Sequence, residues 1–208
     1  MTDSDQLNDI VNRLVSSTDP DEVRRLYKLW SETYDDDLDA FGYVAPQIGV
    51  DIFAGIISDK SARIHDAGCG TGLVGVLLTR EGYTCVHGSD FSPEMLDRAR
   101  MTNCYKSLVA ADFSEVLDIE SNTFDAIISI GVYTKRFHIH FLREMVRTLK
   151  SGGSMVFTCR ELYFNEVSES IRQLHIEKKI VRSSVALDNY MTGQQARAYY
   201  VVLQKTQD

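Results

Sequence analysis

The sequence predicts an α/β fold, a doubly wound sheet closed by a hairpin. Strand-like and helix-like stretches alternate through the middle of the chain, the pattern of a sheet covered on both faces. Gly68, Gly70 and Gly72 follow a short apolar strand and precede a helical pattern, as in the ligand-binding turns of such sheets. Two further strand-like stretches, from Lys179 to Leu187 and from Ala196 to Lys205, supply the hairpin.

The elements follow in order. Polar residues run to Pro20, and Ser16 to Pro20 reads as a helix start after a frayed tail or short helix. Val23, Leu26, Tyr27, Trp30 and Tyr34 recur at helical spacing, with Asp21 and Glu22 favouring the helix N-terminus. Asp35, Asp36 and Asp37 are expected to end that helix in a solvated segment, and a second helix runs from Gly42–Pro46 to about Ile57. Trp30 reads as core packing; Tyr34 and Tyr43 flank the turn and are placed to close over a ligand.

Ala62 to Ala67 forms the first strand, and the helix from Leu73 to Arg80 ends at Gly82. Thr84 to Asp90 is the second strand, and Ser92-Pro93-Glu94 caps a helix to Met101. A strand follows at Ser107 to Ala110. Phe124 to Gly131 is nearly all apolar, as a central strand should be. A helix from Ile139 to Lys150 is closed by Ser151-Gly152-Gly153, and Ser154 to Cys159 is the fifth strand. A helix then extends from beyond Glu161 to about Glu177.

The chain has 208 residues, enough for one domain with a substantial core. Its net charge of -8 argues against a nucleic-acid partner, which needs a basic face. No apolar run approaches the ~20 residues of a membrane span, and the polar start does not read as a secretory signal. The 4 cysteines show no metal-ligand spacing, so no metal site is expected; free thiols in the cytoplasm are the economical reading.

The glycine spacing separates two chemistries. A dinucleotide fingerprint is G-x-G-x-x-G, whereas here it is G-x-G-x-G, with Leu73 where the third glycine would stand. Asp66 adds negative charge beside the loop, which suits a cationic ligand better than a pyrophosphate. Asp90 follows at the position where nucleotide binders place an acid for ribose hydroxyls, and Ser92 already supplies the next helix cap, leaving Asp90 free. Asp112-Phe113 at the third strand's end suits an adenine amine and ring, or is simply a strand-to-loop aspartate.

Asp66 to Gly72, Asp90, Ala111-Asp112-Phe113 and Phe124 to Gly131 with Leu149 to Gly153 together resemble a class I S-adenosylmethionine (SAM)-dependent methyltransferase. Trp30, Tyr34-Asp35, Gly42-Tyr43, Pro46 and Thr158-Cys159-Arg160 are similar to the small methyltransferase-like proteins named after the Williams–Beuren syndrome region. The resemblance implies a Rossmann-like, seven-stranded sheet, mostly parallel with an antiparallel last strand. It also implies a helical cap over residues 1–44 and a SAM-binding domain over 45–208, as one unit. Gly68, Gly70 and Gly72, with Asp66 and Cys69, would approach the methionine part of SAM, near Tyr34. Asp90 would hold the ribose, with Phe91 also on the cofactor, Asp112 and Phe113 the adenine, and Ile130-Gly131 the floor.

SAM carries its own activation, so the chain's task is alignment and exclusion of water. On the acceptor side stand Tyr133, Lys135, Arg136, His138, His140, Arg160 and Tyr163. His138 is placed as a general base or is a surface histidine before a helix; Arg160 holds an anionic substrate or pairs with Glu161 or Asp35. No Asn-Pro-Pro-Tyr tetrad follows the fourth strand, and little chain remains for a separate substrate domain; both favour a small-molecule acceptor. A protein or RNA methyltransferase and a non-catalytic SAM-binding module are the alternatives. The assembly is left open between monomer and homodimer.

Overall fold

The strand-forming runs assemble into one sheet whose order places a crevice at the ends of its central strands. A computed structural model of the chain describes residues 9–11, 13–14, 17, 19–133 and 138–207, save the side chains of Pro20 and His138. The strands are β1 (Ile64–Ala67), β2 (Val86–Asp90), β3 (Ser107–Ala110), β4 (Phe124–Tyr133), β5 (Leu149–Arg160), β6 (Ile180–Met191) and β7 (Ala196–Lys205). Their order is β3-β2-β1-β4-β5-β7-β6, and β7 runs antiparallel to both its neighbours. The seven-stranded, mostly parallel fold inferred from the motifs is therefore the observed one. Strand order reverses between β1 and β4, and ligands of open α/β sheets bind at the carboxyl ends there.

The helices are α1 (Pro20–Trp30), α2 (Tyr34–Ala40), α3 (Ala45–Ile56), α4 (Leu73–Arg80), α5 (Pro93–Met101), α6 (His138–Thr148) and α7 (Phe164–Ile176). Phe53, Val74 and Leu78 from α3 and α4 bury against Ile64 and Ile128 on one face. Phe141, Met145 and Val167 from α6 and α7 bury against Ile127 and Phe157 on the other. Neighbouring residues of β4 thus face opposite cores, which accounts for its continuous apolar run. No helix among the described residues is long and apolar enough to cross a membrane.

Several boundaries differ from the sequence reading. Asp35, Asp36 and Asp37 do not end a helix; they form the first turn of α2. There the N-terminal dipole favours their charge, and Asp37 accepts a 2.8 Å bond from the Trp30 indole. Gly152 and Gly153 do not close α6. That helix stops at Thr148, and the glycines lie inside β5, where register against β4 shifts between Phe124 and Ala126. β6 continues to Met191 because Tyr190 is drawn under the N-terminal helices.

The two ends of the chain are joined there. Tyr43 bridges Met191, the Val44 amide donates to Tyr190 at 3.2 Å, and the Thr192 and Gly193 amides donate to Gly42 and Phe41 at 2.9 and 3.0 Å. This stitching holds α1 and α2 over the carboxyl ends of β1 and β4.

Candidate functional site

The glycine loop is folded back by its own amides. Gly68 and Cys69 both donate to the Ser89 carbonyl, at 2.7 and 2.9 Å. Gly70 adopts φ +53°, and a Cβ built there would meet nothing within 4 Å. Its α-face therefore borders open space, as a loop must if a ligand is to reach the backbone.

Asp90 closes the loop. Its two oxygens accept from the Gly70 and Ser92 amides, each at 2.9 Å. The carboxylate is thus not free, as the sequence reading had it, although Ser92 does cap α5 through the Met95 amide. Each oxygen retains acceptor capacity for a hydroxyl. Burial raises the Asp90 pKa above its ordinary value, against the opposing effect of the Ser92 and Gly70 amides.

A cavity opens over this loop. Gly68, Gly70, Asp90 and Phe91 line it, with Phe113 behind and Ile130-Gly131 as floor. Tyr34 reaches it from the cap, as do Tyr27, Val23 and Leu14, which the sequence reading did not assign to a site. The missed signal was Tyr27 and Tyr34 seven positions apart, on one side of the helix–turn–helix. Arg24 stacks over Phe91, 4.2 Å from its ring centre.

Four expected cofactor residues lie elsewhere. Asp66 turns away into the core, where it accepts a 2.7 Å bond from the Tyr105 hydroxyl. Burial pushes its pKa up to about 7. Cys69 packs against Leu96 and Ala99, and burial pushes its thiol pKa upward. Gly72 caps α4 with φ +101°, and a Cβ there would crowd Thr102 and Tyr105 at 3.1–3.3 Å. Asp112 lines a separate cleft below β3 and accepts from the Ser114 amide and hydroxyl, so its turn, not the cavity, orients it.

A second cavity abuts the first, and Tyr27, Tyr34 and Gly131 belong to both. Its walls are aromatic: Trp30, Tyr43, Tyr133, Tyr163 and Tyr190. Gly131 is forced by this arrangement, since its φ is +81° and a Cβ would strike the Tyr43 hydroxyl at 2.6 Å. The Tyr43 and Tyr190 phenols are hydrogen-bonded to each other. Burial, then the neighbouring Tyr190 and Tyr34, hold the Tyr43 phenol well above its ordinary pKa. Burial pushes Tyr133 up to about 12, against the opposing effect of the neighbouring Ser170 hydroxyl.

Arg160 lines the same cavity. Neither pairing expected for it occurs. Glu161 faces Arg197 at 3.9 Å, and Asp35 accepts from the Thr71 hydroxyl at 2.6 Å with Arg98 at 4.0 Å. His140 is half-buried in α6 with its Nε2 unpartnered, and it lines neither cavity. Lys135, Arg136 and the His138 side chain lie outside the described residues. Among the described residues, no cluster of histidines, cysteines and carboxylates could hold a metal ion.

Comparison with known proteins gives this geometry a lineage. Residues 64–153 match the family described as "Methyltransferase domain". The chain is 36% identical over 147 residues to methyltransferase-like protein 27 of Homo sapiens, covering 68% of this chain and 60% of that protein. It is 42% identical over 73 residues to the 18S rRNA (guanine-N(7))-methyltransferase of Bos taurus, covering 35% of this chain and 26% of that protein. The chain therefore spans less than two thirds of the length of either relative. In fold it is similar to the [4+2]-cyclase SpnF, with a TM-score of 0.69 at 14% identity over 91% of this chain and 97% of that one. It is also similar to a TehB-like SAM-dependent methyltransferase from Corynebacterium glutamicum, with a TM-score of 0.59 at 23% identity over 85% and 98% of the two chains. One fold carrying a cyclase and a methyltransferase leaves the reaction to be argued from the site.

Proposed function

We propose that this chain, a class I SAM-dependent methyltransferase by its domain and its fold, transfers the SAM methyl group to a nucleophilic atom of a small-molecule acceptor. The observation that carries the reading is the pair of abutting cavities at the carboxyl ends of β1 and β4, divided by Tyr27, Tyr34 and Gly131. One holds the cofactor and the other the acceptor, so the methyl donor and the nucleophile meet at the shared wall.

Bound SAM supplies a methyl group already activated on a sulfonium. The residues present fit it. Asp90 offers remaining lone pairs to the ribose hydroxyls, the open face of Gly70 admits the ligand to the backbone, and Phe113 packs the adenine ring. Ile130 and Gly131 form the floor, and Tyr27 and Tyr34 exclude water from the line of attack. The described residues before Ala45 serve as the cap. Tyr133 does not serve as a base at neutral pH, because its phenol holds its proton to about 12. His138 keeps that role as a proposal, and wild-type turnover by His138→Ala on an identified acceptor removes it. The free cysteines of the described chain support a cytoplasmic location.

The expectation against a nucleic-acid acceptor has no support among the relatives, three of which are named for 18S rRNA. RNA is accordingly the second reading. Incubation with methyl-labelled SAM and a cell extract separates them. Label in the small-molecule fraction supports the first, and label confined to RNA replaces it.

A further inference from the structure

The acceptor cavity is neutral and aromatic except at one corner. There the cation Arg160 stands without a hydrogen bond or ion pair among the described residues, and no carboxylate lines the cavity with it. Two positions earlier on β5, Thr158 lies on the same face of the strand, while Cys159 between them packs into the opposite core. The Thr158 oxygen accepts from the Gly131 amide at 2.8 Å, so its lone pair is engaged while its proton has no acceptor among the described residues. Thr158 is 2% exposed. A half-buried guanidinium and a buried hydroxyl proton thus line the same cavity, and no described residue receives either. Burying the hydroxyl donor in this state is costly unless a ligand supplies the acceptor.

The rest of the wall sets the body of that ligand. Trp30, Tyr34 and Tyr163 offer flat faces, and the Tyr43 and Tyr190 phenols share a hydrogen bond in which one donates and the other accepts. The surface left for the ligand body is made mostly of aromatic rings, with Leu14, Leu38 and Met191 beside them.

We propose that the acceptor is an organic anion, a flat apolar or aromatic body bearing a carboxylate that Arg160 and Thr158 receive. This rests on reading the second cavity as the acceptor site. The geometry matches a carboxylate because a guanidinium presents parallel N–H donors and the neighbouring hydroxyl adds a third.

The chain reports on this cavity directly, because Trp30 is its single tryptophan and forms part of the wall. Trp30 fluorescence of the full chain is titrated with phenylacetate and 3-phenylpropionate, and with the corresponding neutral amides. The acids are expected to bind roughly ten- to a hundred-fold tighter than the amides, the value of a charge-assisted pair. Arg160→Gln is expected to erase that preference while leaving amide binding in place, and Arg160→Lys to restore part of it. Equal binding of acid and amide by the wild type, absence of any acid binding, or a preference that survives in Arg160→Gln overturns the proposal. Calorimetric titration with S-adenosylhomocysteine is run beside it. Product binding without acid preference rejects the acceptor class and spares the methyltransferase reading. Acid preference without product binding does the reverse.

Discussion

His65 and Asp66 stand side by side on β1 and titrate in opposite senses. Asp66 is buried, its Oδ1 has no partner, and its pKa rises from 3.8 to about 7. The folded state then holds a proton that the unfolded state has lost, so this group's contribution is present below pH 3.8 and disappears as pH climbs to about 7. His65, buried against Phe124, has its pKa pushed from 6.5 down to about 3. Its contribution is present above pH 6.5 and disappears as pH falls to about 3. Between these limits the two slopes oppose each other. Asp66→Asn is therefore expected to be more stable than wild type at pH 7.5, on the order of 2–4 kcal/mol, with the gap closing toward pH 4. Urea denaturation across that range measures it; a gap independent of pH would reject the assignment. At Asp90 the expectation is binding, not stability. Asp90→Ala should cost about 1–3 kcal/mol of S-adenosylhomocysteine affinity by calorimetry, through lost ribose bonds. Asp90 was legible because its spacing from the glycine loop follows from one strand–helix–strand unit. The direction in which Asp66 points was not legible, since it depends on Tyr105 arriving from after α5.

At the scale of elements, the glycine loop makes the separable test. Gly70→Ala places a side chain at φ +53°, which costs about 1–2 kcal/mol of folding stability. Its Cβ meets no protein atom, so the larger effect should fall on the ligand: product binding drops more than the melting temperature suggests. Another element-level tie joins α6 to the loop before β4. Glu144 accepts from the Leu117 amide at 3.0 Å, and Arg147 donates to the Ile119 and Leu117 carbonyls at 2.7 and 3.1 Å. Glu144 is buried, so Glu144→Ala strands the Leu117 amide and the Arg147 charge and should lower stability by about 3 kcal/mol, read by chemical denaturation. Periodicity made the strands and helices legible. It missed α2, because three consecutive aspartates look like solvent-facing loop until the Trp30 indole and the helix dipole are there to receive them.

For the whole molecule, the cavities draw on distant parts of the chain. Leu14 lies in both, and Ser17 in the cavity over the glycine loop. Removing residues 1–17 is expected to leave the melting temperature nearly unchanged while weakening S-adenosylhomocysteine binding several-fold, since the sheet and its cores lie beyond the cut. The solitude of Arg160 was invisible in sequence for the same reason. Nearby acids stood ready to pair with it, and only the three-dimensional placement of Arg197, Thr71 and Arg98 takes them away.

The clasp between Phe41–Val44 and Tyr190–Gly193 has a consequence for biosynthesis. Translation finishes β1, β2 and the glycine turn long before the ribosome reaches the hairpin. A nascent chain therefore has the residues of the first cavity early, yet lacks the second cavity's wall that Tyr43 and Tyr190 complete. On the proposed reading, every residue assigned to the methyl donor is synthesised before the hairpin, whereas the second cavity waits for Tyr190 and Met191, so a chain that stops short of the hairpin lacks that wall.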